Sequence, residues 1–342
     1  MIHWGHSPKR TKRNSRARRS DFSWIYGHPG LKVPSVSSID TFNHLPAKRQ
    51  SATGEAREHM LIIDRNYLIE KAHELAPFPV SIVRLAQLIA NPECNMADVA
   101  EVIAYDQGLT LKLLRAANSA ADGSARRITT VKEAITRLGT SRIMSTAVAA
   151  AARPHLQKAL PAYGLDEGAL WKHSVTAAVA AETIPKYCAT ECPPETFTAA
   201  LLHDVGKTVM GRFLRPELLR EITFARAVNH LSQMEAEVQV LGVHHGELGG
   251  LIAQHWKLPP RVVRGIMYHH NPEQGRDVVC DLTYLSNEIA HQIESSPDGE
   301  IHDDVFLSDV SKRLGLTAVQ LGKLRANAEA RVAEVTQRYN AA

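Results

Sequence analysis

The sequence predicts an all-α protein, and three observations carry that prediction. No stretch alternates apolar and polar residues with a period of two for long, as a half-buried strand requires. Alanine and leucine are abundant while aromatic residues make up only 6% of the 342 residues, a balance that favours helix over sheet. Proline, glycine and hydroxyl or carboxylate caps divide the chain into segments of helical length.

The helices follow in order. Residues 60–75 read as the first, broken by Pro77-Phe78-Pro79, because proline lacks the amide proton and restrains its neighbour. Val80 to Ala90 is the second, with Val80, Val83, Leu85, Leu88 and Ile89 as its apolar positions, closed by Asn91-Pro92. Asp98–Ala104 and Leu109–Ala117 are short helices, and Ala121-Asp122-Gly123-Ser124 is a turn. Thr130 with Glu133 forms a capping box for a helix reaching Gly139, and Ser141–Ala152 follows, ending before Pro154. Beyond it come Ala169–Thr183, about Glu195 to Asp204 with Gly206 as its terminator, and a helix from Arg215-Pro216-Glu217 to about Val228. A second capping box, Ser232 and Glu235, starts a helix ending at Leu241-Gly242. Glu247–Trp256, Arg261–His269, Val278–Ile293 and one or two helices within Thr317–Arg338 complete the set.

Charge divides the chain. Residues 1–50 hold ten Lys/Arg and only Asp21 and Asp40 as acids, a net of +8 within a chain of +4, so residues 51–342 carry −4. With no apolar periodicity and many Ser, Pro and Asn, residues 1–59 read as a basic disordered tail. Such a tail can touch nucleic acid or an anionic surface by counterion release, a weak indication beside that of a solvated extension. The folded part is expected over 60–295, in a part 60–155 and a part 156–295, with a helical extension over 296–342. No apolar run reaches the ~18 residues of a membrane span, and the first ten residues lack the apolar stretch of a secretory signal. Cys94, Cys188, Cys192 and Cys280 form no paired CxxC sets and are expected to be reduced thiols in a cytoplasmic protein. No glycine-rich phosphate loop is present.

The chemistry centres on Leu201-Leu202-His203-Asp204-Val205-Gly206-Lys207. An imidazole and a carboxylate on adjacent residues can share one metal ion. Four further histidines strengthen the motif: His173 on an Ala/Val-rich helix, His245 near a helix start, and His269 and His270 at a helix end. Residues at the ends of separate helices can converge on one point, and an apolar surround would hold neutral imidazoles ready as ligands. His155, His230, His255 and His291 are assigned to packing or surface.

Several motifs in order carry a resemblance: Leu113-Leu114-Arg115-Ala116-Ala117-Asn118-Ser119-Ala120, Val131-Lys132-Glu133-Ala134-Ile135-Thr136-Arg137-Leu138-Gly139, Leu241-Gly242-Val243-His244-His245-Gly246-Glu247-Leu248-Gly249, Trp256-Lys257-Leu258-Pro259 and Tyr268-His269-His270-Asn271-Pro272. From about Leu75 to Asn287 the chain resembles the HDOD family, the HD-related output domains of bacterial signalling proteins. Gln107 after Asp106 departs from it, since the family usually has proline there.

The resemblance implies an HD-domain-like multi-helix fold with an N-terminal helical subdomain, related to HD phosphohydrolases and to the HD-GYP enzymes that cleave cyclic di-GMP. By that relation His173, His203 and Asp204 match one metal site, and Asp204, His245, His269 and His270 a second. Lys207 matches a phosphate-holding lysine and, with Asp204, would be catalytic in an active relative. Asn287 stands where the enzymes use an aspartate, and no Gly-Tyr-Pro element follows His270. Any metal bound is expected to be iron, manganese or zinc, at partial or single occupancy; otherwise the histidines serve packing through hydrogen bonds. The expected function is a signal-transduction output module acting on signalling proteins. The alternative is a metal-dependent phosphohydrolase or phosphodiesterase taking a phosphoester.

Overall fold

A computed structural model describes residues 63–119, 127–295 and 309–340, with side chains as far as residue 335. All belong to the compact unit Leu61–Ala342. The basic tail and the turn expected at Ala121–Ser124 lie outside the described residues. Sixteen α-helices are present among the described residues, and no strand, only an isolated bridge between Leu160 and Leu165. None of these helices is long and apolar enough to cross a membrane.

The N-terminal helices begin on side-chain caps. In α1 (Arg65–His73) the Asp64 carboxylate accepts from Tyr67 N, and in α3 (Met96–Ala104) the Asn95 side chain accepts from Ala97 N. Each cap satisfies an amide that the helix leaves unpaired. Between them, α2 (Val80–Ile89) buries Ile82, Leu85 and Ala86. Of the expected apolar positions Leu85 is buried and Val83, Leu88 and Ile89 pack against the core, but Val80, the first residue after Pro79, is 84% exposed and Ile82 takes its place inward. Before α4 (Gln107–Ser119), Asp106 Oδ1 accepts from Leu109 N at 2.9 Å.

Helix α5 (Val131–Leu156) opens with the Thr130–Glu133 capping box and breaks at Gly139, whose φ of 71° and ψ of 166° are not helical. Only glycine adopts that conformation readily. The second half does not stop before Pro154 as expected. It continues to Leu156, with Gln157 N donating to Arg153 O at 3.0 Å. Leu156 has no exposure, and its burial, about 1.5–3 kcal/mol, holds the last turn in place.

Next come α6 (Ala169–Thr183), α7 (Glu195–Leu202), α8 (Gly206–Phe213), α9 (Pro216–Asn229), α10 (Gln233–Leu241), α11 (His245–His255), α12 (Pro260–Met267), α13 (Pro272–Gly275) and α14 (Val278–Ser295). The last two are α15 (Asp309–Arg313) and α16 (Ala318–Asn340). Gly206 does not terminate a helix; it opens α8. A Cβ there would lie 1.9 Å from the His245 carbonyl oxygen and 2.8 Å from Gly249 N. The glycine allows the start of α8 to cross the start of α11 at backbone contact.

Two apolar cores organise the helices. One joins Leu68, Leu85, Ile103 and Leu113 to Ile143 and Val148 of α5, then to Leu201, Leu202, Leu248, Trp256 and Ile266. The other packs Leu314, Leu321 and Leu324 of the C-terminal segment against Ala180 and Ile184 and against Leu282, Leu285 and Ile289 of α14. Helices α6 and α14, which carry His173 and Asn287, thus meet the C-terminal helices on one side. All four cysteines are free thiols.

Candidate metal centre

Helix ends build the centre. Leu201 and Leu202, both fully buried, anchor the end of α7 and leave His203 and Asp204 in the tight turn to α8. His203 Nδ1 donates to Ala200 O at 2.7 Å, taking up a carbonyl that the helix end leaves unpaired. His269, in the turn after α12, repeats the device with Ile266 O at 2.7 Å. His245 is the first residue of α11, with His244 as its cap. The His245 Nδ1 and backbone N both donate to Glu237 Oε2, at 2.7 and 2.8 Å. For these three histidines the acceptor fixes the proton on Nδ1, so the lone pair sits on Nε2.

Those lone pairs face Asp204. Its Oδ1 lies 3.3 Å from His245 Nε2 and 3.9 Å from His269 Nε2, and its Oδ2 lies 3.5 Å from His203 Nε2 and 3.8 Å from His173 Nε2. His270 Nε2 is 2.8 Å from His245 Nε2. The carboxylate therefore stands between two groups whose ligand atoms lie within 4.8 Å of one another: His245, His269 and His270, and His173, His203 and Asp204. Lys207 Nζ donates to Asp204 Oδ2 at 2.6 Å. All seven residues singled out in the sequence are thus brought together.

The two groups differ in their protons. His173 has an acceptor on each side: Glu294 Oε2 lies 2.9 Å from Nδ1, and Asn287 Oδ1 lies 3.0 Å from Nε2. Burial lowers its pKa, but the Glu294 hydrogen bond and the Asp204 charge outweigh that and raise it. His173 is therefore drawn toward a doubly donating imidazolium, a form with no lone pair for a cation. In the other group, burial together with neighbouring imidazoles holds His269 well below the usual range, and burial with His245 nearby pushes His270 down to about 2. Burial would raise Asp204, but the Lys207 ammonium, with the His203 and His245 rings that face it, holds it well below the usual range. A carboxylate held ionised beside imidazoles that burial holds neutral, as His269 and His270 are, is a donor set that iron, manganese and zinc accept.

Two buried atoms test the fit. Asp204 Oδ1 and His269 Nε2 have no hydrogen-bond partner. Both face the same group, and a divalent cation between them would satisfy both. Zinc–nitrogen bonds are about 2.0–2.1 Å, so ligand atoms on one ion stand about 3 Å apart, as several of these do.

Sequence reasoning missed the groups that orient the ligands. Glu237 is fully buried; burial raises its pKa, but the facing His245 ring and its hydrogen bonds, with that from Gln233, bring it down to about 2. Glu294 and His291 also escaped it: the His291 ring centroid is 4.6 Å from that of His173, and the two form a further group with Glu294. Only the spacing of Asn287, His291 and Glu294 along one helix face offered a signal. The remaining histidines lie elsewhere. His155 packs against both Phe78 and Trp256, His255 stacks on His73, and His230 caps α9 with a φ of 53°.

An all-helical fold, among the described residues, closed around a turn-borne His–Asp pair and four further histidines defines an HD-related protein. The HDOD domain profile matches residues 75–272, more than half of the chain, and the protein belongs to the HDOD family. Solved structures share the fold. An HDOD domain protein with unknown function from Geobacter sulfurreducens is 22% identical, with 80% of this chain and 97% of that one covered at a TM-score of 0.59. A Shewanella amazonensis SB2B protein, provisionally described as a phosphohydrolase, is 24% identical over 78% and 95% of the two chains, at 0.58. A Marinobacter aquaeolei VT8 protein, provisionally described as acting in signal transduction, is 22% identical over 79% and 60%, at 0.60. A curated relative, an uncharacterized protein of Treponema pallidum (strain Nichols), is 23% identical over 227 residues. The match covers 65% of this chain and 43% of the relative, so the chain spans less than half of that protein's length.

Proposed function

We propose that this HDOD protein is a regulatory module of signal transduction that acts by binding other signalling proteins. Its centre holds one divalent metal as part of its structure. Asp204, His245, His269 and His270 are the ligands, with His203 beside them, and iron, manganese or zinc is the ion. The burial of the centre carries this reading: Asp204 is 2% exposed, and His203, His245 and His269 are at 1% or less. A phosphodiester must reach the metal to be cleaved, whereas a structural ion needs no path for substrate. The hold of Asn287 and Glu294 on His173 supports one ion in place of two.

One observation favours a second reading, a metal-dependent phosphohydrolase. The Lys207 ammonium sits 2.6 Å from Asp204 Oδ2 with 16% of its side chain exposed, where it could hold a phosphate at the edge of the centre. The metal would then polarise the phosphoryl oxygen and lower the pKa of bound water to about 7. Lys207 would offset the charge developing on the phosphate.

Elemental analysis of protein purified without chelator, with assays on bis(p-nitrophenyl) phosphate and cyclic di-GMP and affinity capture of partners, separates the readings. About one metal per chain, no turnover and a captured signalling protein is the expected outcome. Turnover that disappears in Lys207→Ala would favour the enzyme.

A further inference from the structure

A cleft of about 360 Å³ lies between the Pro161–Tyr163 turn and helices α9 and α10. That volume is in the range that holds a small molecule. Leu219 and Ile222 are among its apolar walls, Thr223 and Arg226 line it from α9, and Tyr163 and Gln233 complete it. None of the described residues that line it is acidic. An apolar wall beside a guanidinium, without a carboxylate to compete, suits an amphipathic anion.

The same wall is wired to the metal centre. Tyr163 Oη and Gln233 Nε2 both donate to Glu237 Oε1, at 3.0 and 2.9 Å. The other oxygen of that carboxylate accepts both His245 bonds. The Tyr163 ring also carries the Lys207 ammonium 5.8 Å from its centroid. Glu237 has no exposure, so losing either donor would leave a buried carboxylate oxygen short of a partner and unbalance its grip on His245. An occupant that draws Tyr163 or Gln233 toward itself acts on a metal ligand without touching the metal.

We propose that this cleft binds a small amphipathic anion and that Tyr163, Gln233 and Glu237 report its occupancy to His245. The effect of that coupling on a metal rests on the reading of His245 as a metal ligand, but the cleft and its link to the His245 ring do not.

Anilinonaphthalene sulfonate, an apolar body with one anionic group, is the probe. Fluorescence titration of the full chain should show one site, weakened about tenfold by Thr223→Trp, which fills the cleft, and by Arg226→Glu, which reverses its charge. Both positions are exposed, so neither change threatens the fold. The probe should also move the His245 ring-proton NMR signal, assigned with His245→Gln. In Glu237→Gln that shift should vanish while probe affinity stays within about twofold. Binding unaffected by both cleft variants would place the probe on an ordinary apolar surface and overturn the site. An unmoved His245 signal would overturn the coupling. A metal titration without probe tests the His245 reading separately, and its failure would leave the fluorescence and ring-signal results standing.

Discussion

His269 Nε2 and Asp204 Oδ1 face each other 3.9 Å apart, and neither has a hydrogen-bond partner. An unsatisfied buried polar group costs about 1–3 kcal/mol, and here two such groups meet in one place. Their shared orientation is what a cation between them would explain.

Metal removal is the direct consequence. Chelation should lower the melting temperature, and re-addition of zinc or manganese should restore it. Asp204→Ala and His269→Ala should each abolish tight binding, read as metal content after desalting. A chelated protein that melts at the unchanged temperature would contradict the structural role.

Asn287→Asp should add a second ion. The aspartate would restore a charged oxygen beside His173 and His203, where an amide offers none, so metal content should rise from about one toward two per chain. An unchanged metal content would shift the block from Asn287 to Glu294.

Gly206→Ala should be among the most damaging single changes in the chain. The added Cβ meets the His245 carbonyl at 1.9 Å, and backbone cannot swing aside as a side chain can. A loss of about 3 kcal/mol or more is expected, measured by urea unfolding, together with weaker metal binding as His245 is pushed away.

His155 should contribute an acid-sensitive part of stability that does not involve the centre. Burial and the nearby Lys158 lower its pKa below the ordinary 6.5, so the unfolded chain takes the proton first. That contribution is fully present above about pH 6.5 and is lost as pH falls below it. His155→Phe should flatten this part of the melting-temperature profile between about pH 7 and 5. An identical slope in the variant would assign the acid sensitivity to other groups.

Much of the fold was legible because its punctuation is local. Thr130 with Glu133 and Ser232 with Glu235 are capping boxes in both the sequence and the structure. Gly206 was misread because local rules see a glycine after an apolar run and cannot see the helix that will cross it. Helix α8 went unpredicted for a related reason: eight residues with two glycines carry little periodicity. At the centre, the ligand-type residues could be named through the family's motifs. The carboxylates that orient them could not, since Glu294 lies 121 residues from His173 and no spacing rule joins positions so far apart.

Gly139 divides α5 into two blocks of cooperativity. Its extended mirror-image conformation interrupts the ladder of amide bonds, so fraying of 131–138 need not propagate into 140–156. The first block gives the main core Ile135, with Val131 and Leu138 only partly buried against it, whereas the second contributes Ile143, Ala147, Val148 and Ala152, all without exposure. Amide hydrogens in the two blocks should therefore exchange with solvent on separate timescales, the first through local opening and the second only when the whole unit unfolds. The two ends of one continuous-looking rod would then belong to different folding units.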